Sequence, residues 1–400
     1  MTLRRTPTAV ATAVLALVLA ACGTSSDHEG HEAKADAAPT TEAATPSPHD
    51  DHVAQAAPVR HKPLRAGERR VTVRMPTAYT PSAPTGTGTD DYRCFLLDPK
   101  VAADQFITGF NVLPGNPEVV HHVILFRVPA DLVGEAEQKD ADTPGQGWTC
   151  FGNSGLRSSA SEIDDAPWLG AWAPGGSEQV YGRGFGEELG QWSRVIMQVH
   201  YNLLAGTKPD RSAAELRLAP VSDKIEALQT RLLPAPVELP CRPEHSDGPL
   251  CERDKALADV KKRFGDGPGS TADLLHFICG PIIAGTEQSC SRQIQSPETV
   301  RGVAGHMHLL GTSIKIEANP GQADARTLLD IPVWDFDNQG SKPIKPARLE
   351  AGDTIKVTCR HSQELRDRLP SFEGQPDKYI VWGEGTTDEM CLGLLLVTRP

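Results

Sequence analysis

The sequence predicts an all-β chain: two tandem antiparallel β-sandwich domains of jelly-roll type behind a disordered N-terminal tether. Three observations carry that expectation. Short apolar stretches alternate with polar residues, as in Arg70-Val-Thr-Val-Arg-Met75 and Gln105-Phe-Ile-Thr-Gly-Phe110, which is the two-residue period of a strand. Thirty-six Gly and 33 Pro in 400 residues supply the turns that many short strands need. No βαβ alternation and no solenoid or propeller repeat interrupts the pattern. At roughly 150 residues per domain the length allows two domains and a tail.

Residues 1–21 read as an export signal. Arg4-Arg5 is followed by an apolar run from Ala9 to Ala21 that is too short to span a bilayer. Leu19-Ala-Ala-Cys22 resembles a bacterial lipobox, which would make Cys22 the lipidated first residue of a chain anchored outside the cytoplasmic membrane. A plain signal peptide with an incidental Cys22 is the simpler alternative. Residues 22–68 contain Ala, Pro, Thr, Ser and acidic residues with few large apolar side chains, too little to offset the entropy of ordering. His28, His31, His49, His52 and His61 lie in this tether, as incidental polar residues or as a loose copper-gathering arm. A net charge of −12 argues against a nucleic-acid partner, which would ask for a basic face.

The expected N-terminal sandwich covers residues 69–208, with strands at Val119 to Val128 and Trp192 to Leu203 and a Gly-rich turn region from Gln179 to Gly190. The pattern restarts at Ala214 after Gly206-Thr-Lys-Pro-Asp210, so residues 209–400 form the expected C-terminal sandwich. Arg253 to Phe264 departs from it, with Leu257, Val260 and Phe264 at helical spacing in a charged segment. From Ala272 the strand texture is expected to resume and to end on Met390 to Val397. Without Cys22 there are eight cysteines, an even number that in an exported chain reads as four disulfides. Order alone does not decide the pairing. Loop closure favours near neighbours, giving Cys94–Cys150, Cys241–Cys251, Cys279–Cys290 and Cys359–Cys391.

The chemistry centres on Val303-Ala-Gly-His-Met-His-Leu-Leu-Gly311. On a strand His306 and His308 point the same way, and Met307 points into the core. His121 and His122 are neighbours, so both can reach one metal only through a bulge or a strong local twist. His200, in Gln198-Val-His-Tyr201, could complete an all-imidazole site. Met75 lies far from any histidine, Met307 faces away and Met197 differs in parity from His200, which leaves Met390 as the candidate thioether. Two imidazoles and a thioether select Cu(I), whereas zinc more naturally adds a third His, a thiolate or a carboxylate.

Five segments in order, His121-His-Val-Ile-Leu-Phe126, Trp172-Ala-Pro-Gly175, Gln198-Val-His-Tyr201, His306-Met-His-Leu-Leu-Gly311 and Thr387-Asp-Glu-Met-Cys391, resemble the copper type II, ascorbate-dependent monooxygenases. That is the family of peptidylglycine α-hydroxylating and dopamine β-monooxygenases. The resemblance runs from about residue 70 to the end. It implies two copper ions, one per sandwich, facing each other across a solvent-filled cleft. His121, His122 and His200 would hold the electron-transfer copper. His306, His308 and Met390 would hold the O2-binding copper, at which a substrate C–H bond is hydroxylated with ascorbate as reductant. The resemblance also supports Cys94–Cys150 and Cys359–Cys391. The partners implied are O2 and a small-molecule or peptide substrate, with the membrane met only through the lipid anchor.

Ala304, Leu392 and Leu394 stand where peptide-hydroxylating members carry an Arg, an Asn and a Tyr. A carboxylate clamp is therefore missing, which puts peptide amidation in doubt and suggests a more apolar substrate or simply a core strand. Two other functions stay open at this stage: a non-catalytic copper-handling lipoprotein, and a zinc hydrolase using only the first three histidines.

Overall fold

The computed structural model describes residues 61–84, 88–157, 165–269 and 271–400. The signal, Cys22 and the tether up to residue 60 lie outside the described residues.

The principal strands of the first sandwich are β1 (Arg69–Arg74), β2 (Asp90–Leu97), β3 (Gln105–Leu113), β4 (Val120–Val128), β5 (Trp168–Trp172), β6 (Phe185–Leu189), β7 (Arg194–Asn202) and β8 (Ala213–Pro220). One sheet runs β1-β8-β3-β6 and the other β2-β7-β4-β5, all neighbours antiparallel. Between them sit Phe95, Ile107, Phe110, Val123, Leu125, Met197 and Val199. The expected boundary after residue 208 falls short of β8, which is paired between β1 and β3. Leu216 and Leu218 put its apolar side into this core, so the first sandwich continues to Pro220.

The second sandwich comprises β9 (Glu226–Ala235), β10 (Glu287–Gln293), β11 (Glu298–His306), β12 (Gly311–Ala318), β13 (Arg326–Ile331), β14 (Lys342–Leu349), β15 (Thr354–His361) and β16 (Cys391–Thr398). Its sheets run β9-β16-β11-β14 and β10-β15-β12-β13. The chain is thus all-β in its main architecture, with antiparallel sheets. One join between the halves is parallel: Ala227 on β9 is registered with Gly186 on β6, so one sheet of each sandwich continues into the other. The turn region expected around residue 185 therefore contains the strand that links the halves.

The sheet β2-β7-β4-β5 has both faces covered, which strand alternation makes legible. Val195, Met197, Val199 and Tyr201 on β7 enter the first core, and Ile196 between them joins the core of the second half. On β4, Val123 and Leu125 go one way while Ile124 and Phe126 go the other. His122 and His200 share the parity that faces the second half.

Three other expectations change. The expected tether runs to residue 68, but residues 62–68 are held against the first sandwich. Buried Arg217 needs acceptors, and it donates to the Lys62 carbonyl at 3.1 Å, the Pro63 carbonyl at 2.9 Å and the Glu68 carboxylate. The helix Arg253–Phe264 buries Leu257, Val260 and Phe264. Strand texture does not resume at Ala272, however: Thr271–Cys279 is a second helix, with Ala272 and Leu275 buried one turn apart. The strand carrying His306 also ends there. His308 sits in the following turn because the Glu389 carboxylate, not a neighbouring strand, takes the His308 and Leu310 N–H groups at 3.0 and 2.6 Å. Four disulfides join Cys94 to Cys150, Cys241 to Cys251, Cys279 to Cys290 and Cys359 to Cys391. The last ties β15 to the start of β16, beside Met390.

Candidate metal centre

Register explains how two adjacent histidines reach one point. On β7, His200 is partnered by His122 and Tyr201 by Val120, so His121 is the extra residue of a bulge. A bulge re-aims the side chain it carries. As a result the His121 and His200 Nδ1 atoms lie 3.0 Å apart and the His200 and His122 Nδ1 atoms 3.2 Å apart. The three histidines offer ring nitrogens within 4.8 Å of one another. Tyr92 on β2 stacks on the His200 ring at 4.0 Å, and Phe336 from the second half stacks on His121 at 4.7 Å.

The partner of His200 fixes its tautomer. Nε2–H donates to Asp90 Oδ1 at 2.8 Å, leaving the Nδ1 lone pair for the convergence point. Asp90 is buried, and burial alone would raise its carboxyl. Hydrogen bonds from His200 and from Thr386 outweigh that and hold it down at about 2. The Thr386 hydroxyl and N–H, at 2.6 and 3.0 Å, come from the loop that leads to Met390. One carboxylate therefore ties a histidine of the first half to a loop of the second. Burial, followed by the neighbouring imidazoles, keeps His121 and His122 well below the usual histidine range, so both rings are neutral donors near neutral pH.

In the second half the His306 and His308 rings lie 5.2 Å apart, edge to face. His306 Nδ1–H donates to Gln339 Oε1 at 2.6 Å and leaves Nε2 free. His308 is fully buried, and among the described residues neither ring nitrogen has a hydrogen-bond partner. Buried imidazole nitrogens without partners are costly, and a metal ligand is the ordinary reason to keep them. Met390 and His306 line the same cavity of about 710 Å³, together with Leu392, Tyr92, Trp382 and Glu384. His306 is registered with Leu392 across β11 and β16, two residues along the chain from Met390. Glu389 Oε2 accepts from the N–H groups of both His308 and Met390. Met307 is fully buried in the core.

The two clusters do not face each other across open solvent. The His122 and His306 rings meet edge to face at 5.7 Å. Ile124, Phe126 and Trp168 share a core with Leu392 and Val303, and closing that apolar surface brings the imidazoles into contact.

Residues 72–208 match the N-terminal domain of the copper type II ascorbate-dependent monooxygenases. The matched stretch contains all three converging histidines, and the family it matches is copper- and ascorbate-dependent. The donor set fits such an ion, since neutral imidazoles suit copper and the three lone pairs share one focus. No curated protein matches the chain. Among solved structures it is similar to a Paenibacillus xanthan lyase at TM-score 0.17 and 10% identity, over 78% of this chain and 23% of that one. It is also similar to procruciferin of Brassica napus, at 0.15 and 11% over 84% and 82%, and to a Bacillus subtilis oxalate decarboxylase mutant, at 0.16 and 8% over 85% and 75%. Likenesses of that size carry no structural argument.

Sequence reasoning missed Asp90, Gln339, Phe336 and Glu389. No spacing connects Asp90 or Gln339 to their histidines. Glu389 had a signal: an acid next to the candidate thioether, at the inward parity of an apolar strand, needs donors.

Glu384 gives a pH prediction. Its carboxyl borders the Met390 cavity, and burial, helped by nearby Asp388, pushes it up to about 7. A carboxyl raised in the folded state favours folding fully below its unfolded value of 4.5 and loses that contribution as pH rises through about 7. Glu384→Gln should therefore match the parent near pH 4.5 and exceed it near pH 8 by roughly 3 kcal/mol. Urea unfolding of copper-free protein checks this, and equal stabilities near pH 8 would refute it.

Proposed function

We propose that the chain is a copper-dependent monooxygenase that hydroxylates a substrate C–H bond with O2 and an ascorbate-type reductant. In this reading His121, His122 and His200 hold one copper and His306, His308 and Met390 hold a second. Bound copper supplies one-electron redox chemistry toward O2, and the balance is one oxygen atom to the C–H bond and one to water, with two electrons from the reductant.

The observation that carries the reading is the meeting of three Nδ1 atoms at a bulge inside the matched residues. A copper-handling protein would have no use for a second, chemically different donor set against the first. The chain's own part is positional. Asp90 and Gln339 set imidazole tautomers, Glu389 holds the His308 turn and the Met390 turn together, and the apolar contact of Ile124, Phe126 and Trp168 with Leu392 and Val303 holds the two halves together. We also place the protein outside the cytoplasmic membrane, anchored by lipid at Cys22, on the strength of the N-terminal sequence.

The test is an oxidised-product screen by mass spectrometry with copper, ascorbate and 18O2. Label in the product supports the reading. Reoxidation of copper without labelled product supports the copper-handling alternative, and activity with zinc alone supports a hydrolase. One positioning prediction accompanies it. Asp90→Ala should lower copper affinity at the three-histidine cluster by about ten- to a hundredfold, as loss of a ligand's hydrogen-bond partner does. Competition against a Cu(I) chelator measures this, and parental affinity would show that Asp90 does not set His200.

A further inference from the structure

We infer that the cavity lined jointly by His121, His122 and His306 is a binding site for a neutral, apolar molecule of one or two rings. Its volume is about 370 Å³, within the usual range for small-molecule sites. A cavity of about 150 Å³ takes one benzene, so this one admits a bicycle with substituents. Both halves of the chain build it. Phe110, Trp168, Trp172 and Tyr181 come from the first sandwich, and Ile344, Leu394 and Leu396 from the second. Ala304 lies on the wall near His306, where a long side chain would project into the space.

Charge decides the ligand class. Among the described residues Arg301 is the one lysine or arginine on the wall, and its guanidinium is already committed. It donates to Glu226 and to the Thr398 hydroxyl, each at 3.1 Å, and lies over the Phe185 ring at 4.7 Å. The Gln339 amide is likewise engaged, with His306 and with the Phe336 carbonyl. Among the described residues no aspartate or glutamate lines the cavity. A charged ligand group would therefore be desolvated without a counter-ion, which is strongly unfavourable. An apolar ring gains the burial and finds aromatic faces to pack on. Thr230 and Ser341 can orient one polar substituent. The site rests on the monooxygenase reading only for the fate of the bound molecule.

The test separates the two. Isothermal titration calorimetry on the full copper-loaded chain without reductant, where no turnover occurs, compares indole with indole-3-carboxylate. Indole is expected to bind at least about tenfold more tightly. Ala304→Arg should reverse the order by placing an unpaired cation in the wall. Leu394→Gln, a gentler change, should weaken indole at least about fivefold at an unchanged melting midpoint. Equal affinity for the two ligands in the parent, or indole binding unaffected by both variants, overturns the site. Indole that binds as expected, together with an 18O2 screen that gives no labelled product from any compound, leaves the site standing and removes the monooxygenase reading.

Discussion

Met390→Ile should leave the chain folded and cut oxygen-dependent product formation by at least about a hundredfold. Losing a hydrogen-bond partner of a ligand already costs about ten- to a hundredfold, and this change removes a ligand. Isoleucine nearly conserves volume and suits a strand start, so the second core, which Met390 joins at 7% exposure, is preserved. What disappears is the thioether that shares a cavity with His306, the kind of donor that favours Cu(I). Product assay with O2 and ascorbate, read beside copper per chain and melting temperature, isolates the effect. Parental turnover in this variant would remove Met390 from the centre. His200→Ala gives the complementary result. It empties one position of the three-histidine cluster and leaves the His306 side intact, so copper should fall from the two equivalents of the proposed function to one.

The second large effect concerns stability. Glu389 is fully buried, and its carboxylate accepts from the N–H groups of His308, Leu310 and Met390 at 3.0, 2.6 and 3.2 Å. Those donors have left the ladder, so the carboxylate stands where a strand partner would be. Glu389→Ala strands the three N–H groups in an apolar core and should destabilise the protein by about 3–5 kcal/mol, since each buried donor left unpaired costs about 1–3 kcal/mol. Glu389→Gln keeps one acceptor oxygen and should recover part of that loss. Guanidinium unfolding of both variants decides the matter. If alanine is tolerated within about 1 kcal/mol, the turn is held by packing alone.

The site was legible in the sequence where chemistry is local. His306 and His308 announce themselves by spacing. The His121-His122 pair could share a metal only if the strand bulged, and β4 does bulge at His121. The requirement was readable from strand parity, but the bulge itself comes from the register against β7 and no local residue prescribes it. Helix Arg253–Phe264 was visible because its apolar side has helical spacing. Thr271–Cys279 was hidden because Leu-Leu-His-Phe-Ile suits a strand equally well, and only the burial of Ala272 and Leu275 on one side makes it a helix. The first sandwich runs on through β8 because a turn-rich segment such as Gly206 to Asp210 can join strands of one sheet as readily as two domains.

What the sequence alone determined is the donor inventory and the strand period: which side chains can bind a soft metal, and which face of each strand they occupy. Both are local properties of residue type and of a backbone whose side chains alternate. What only the tertiary structure decided is that Asp90 orients His200 while holding Thr386, that Glu389 replaces a strand partner, and that His122 and His306 meet without an open cleft. Those contacts join residues far apart in the chain. They arise from burying one apolar sheet face against another and then finding partners for every polar atom trapped between them.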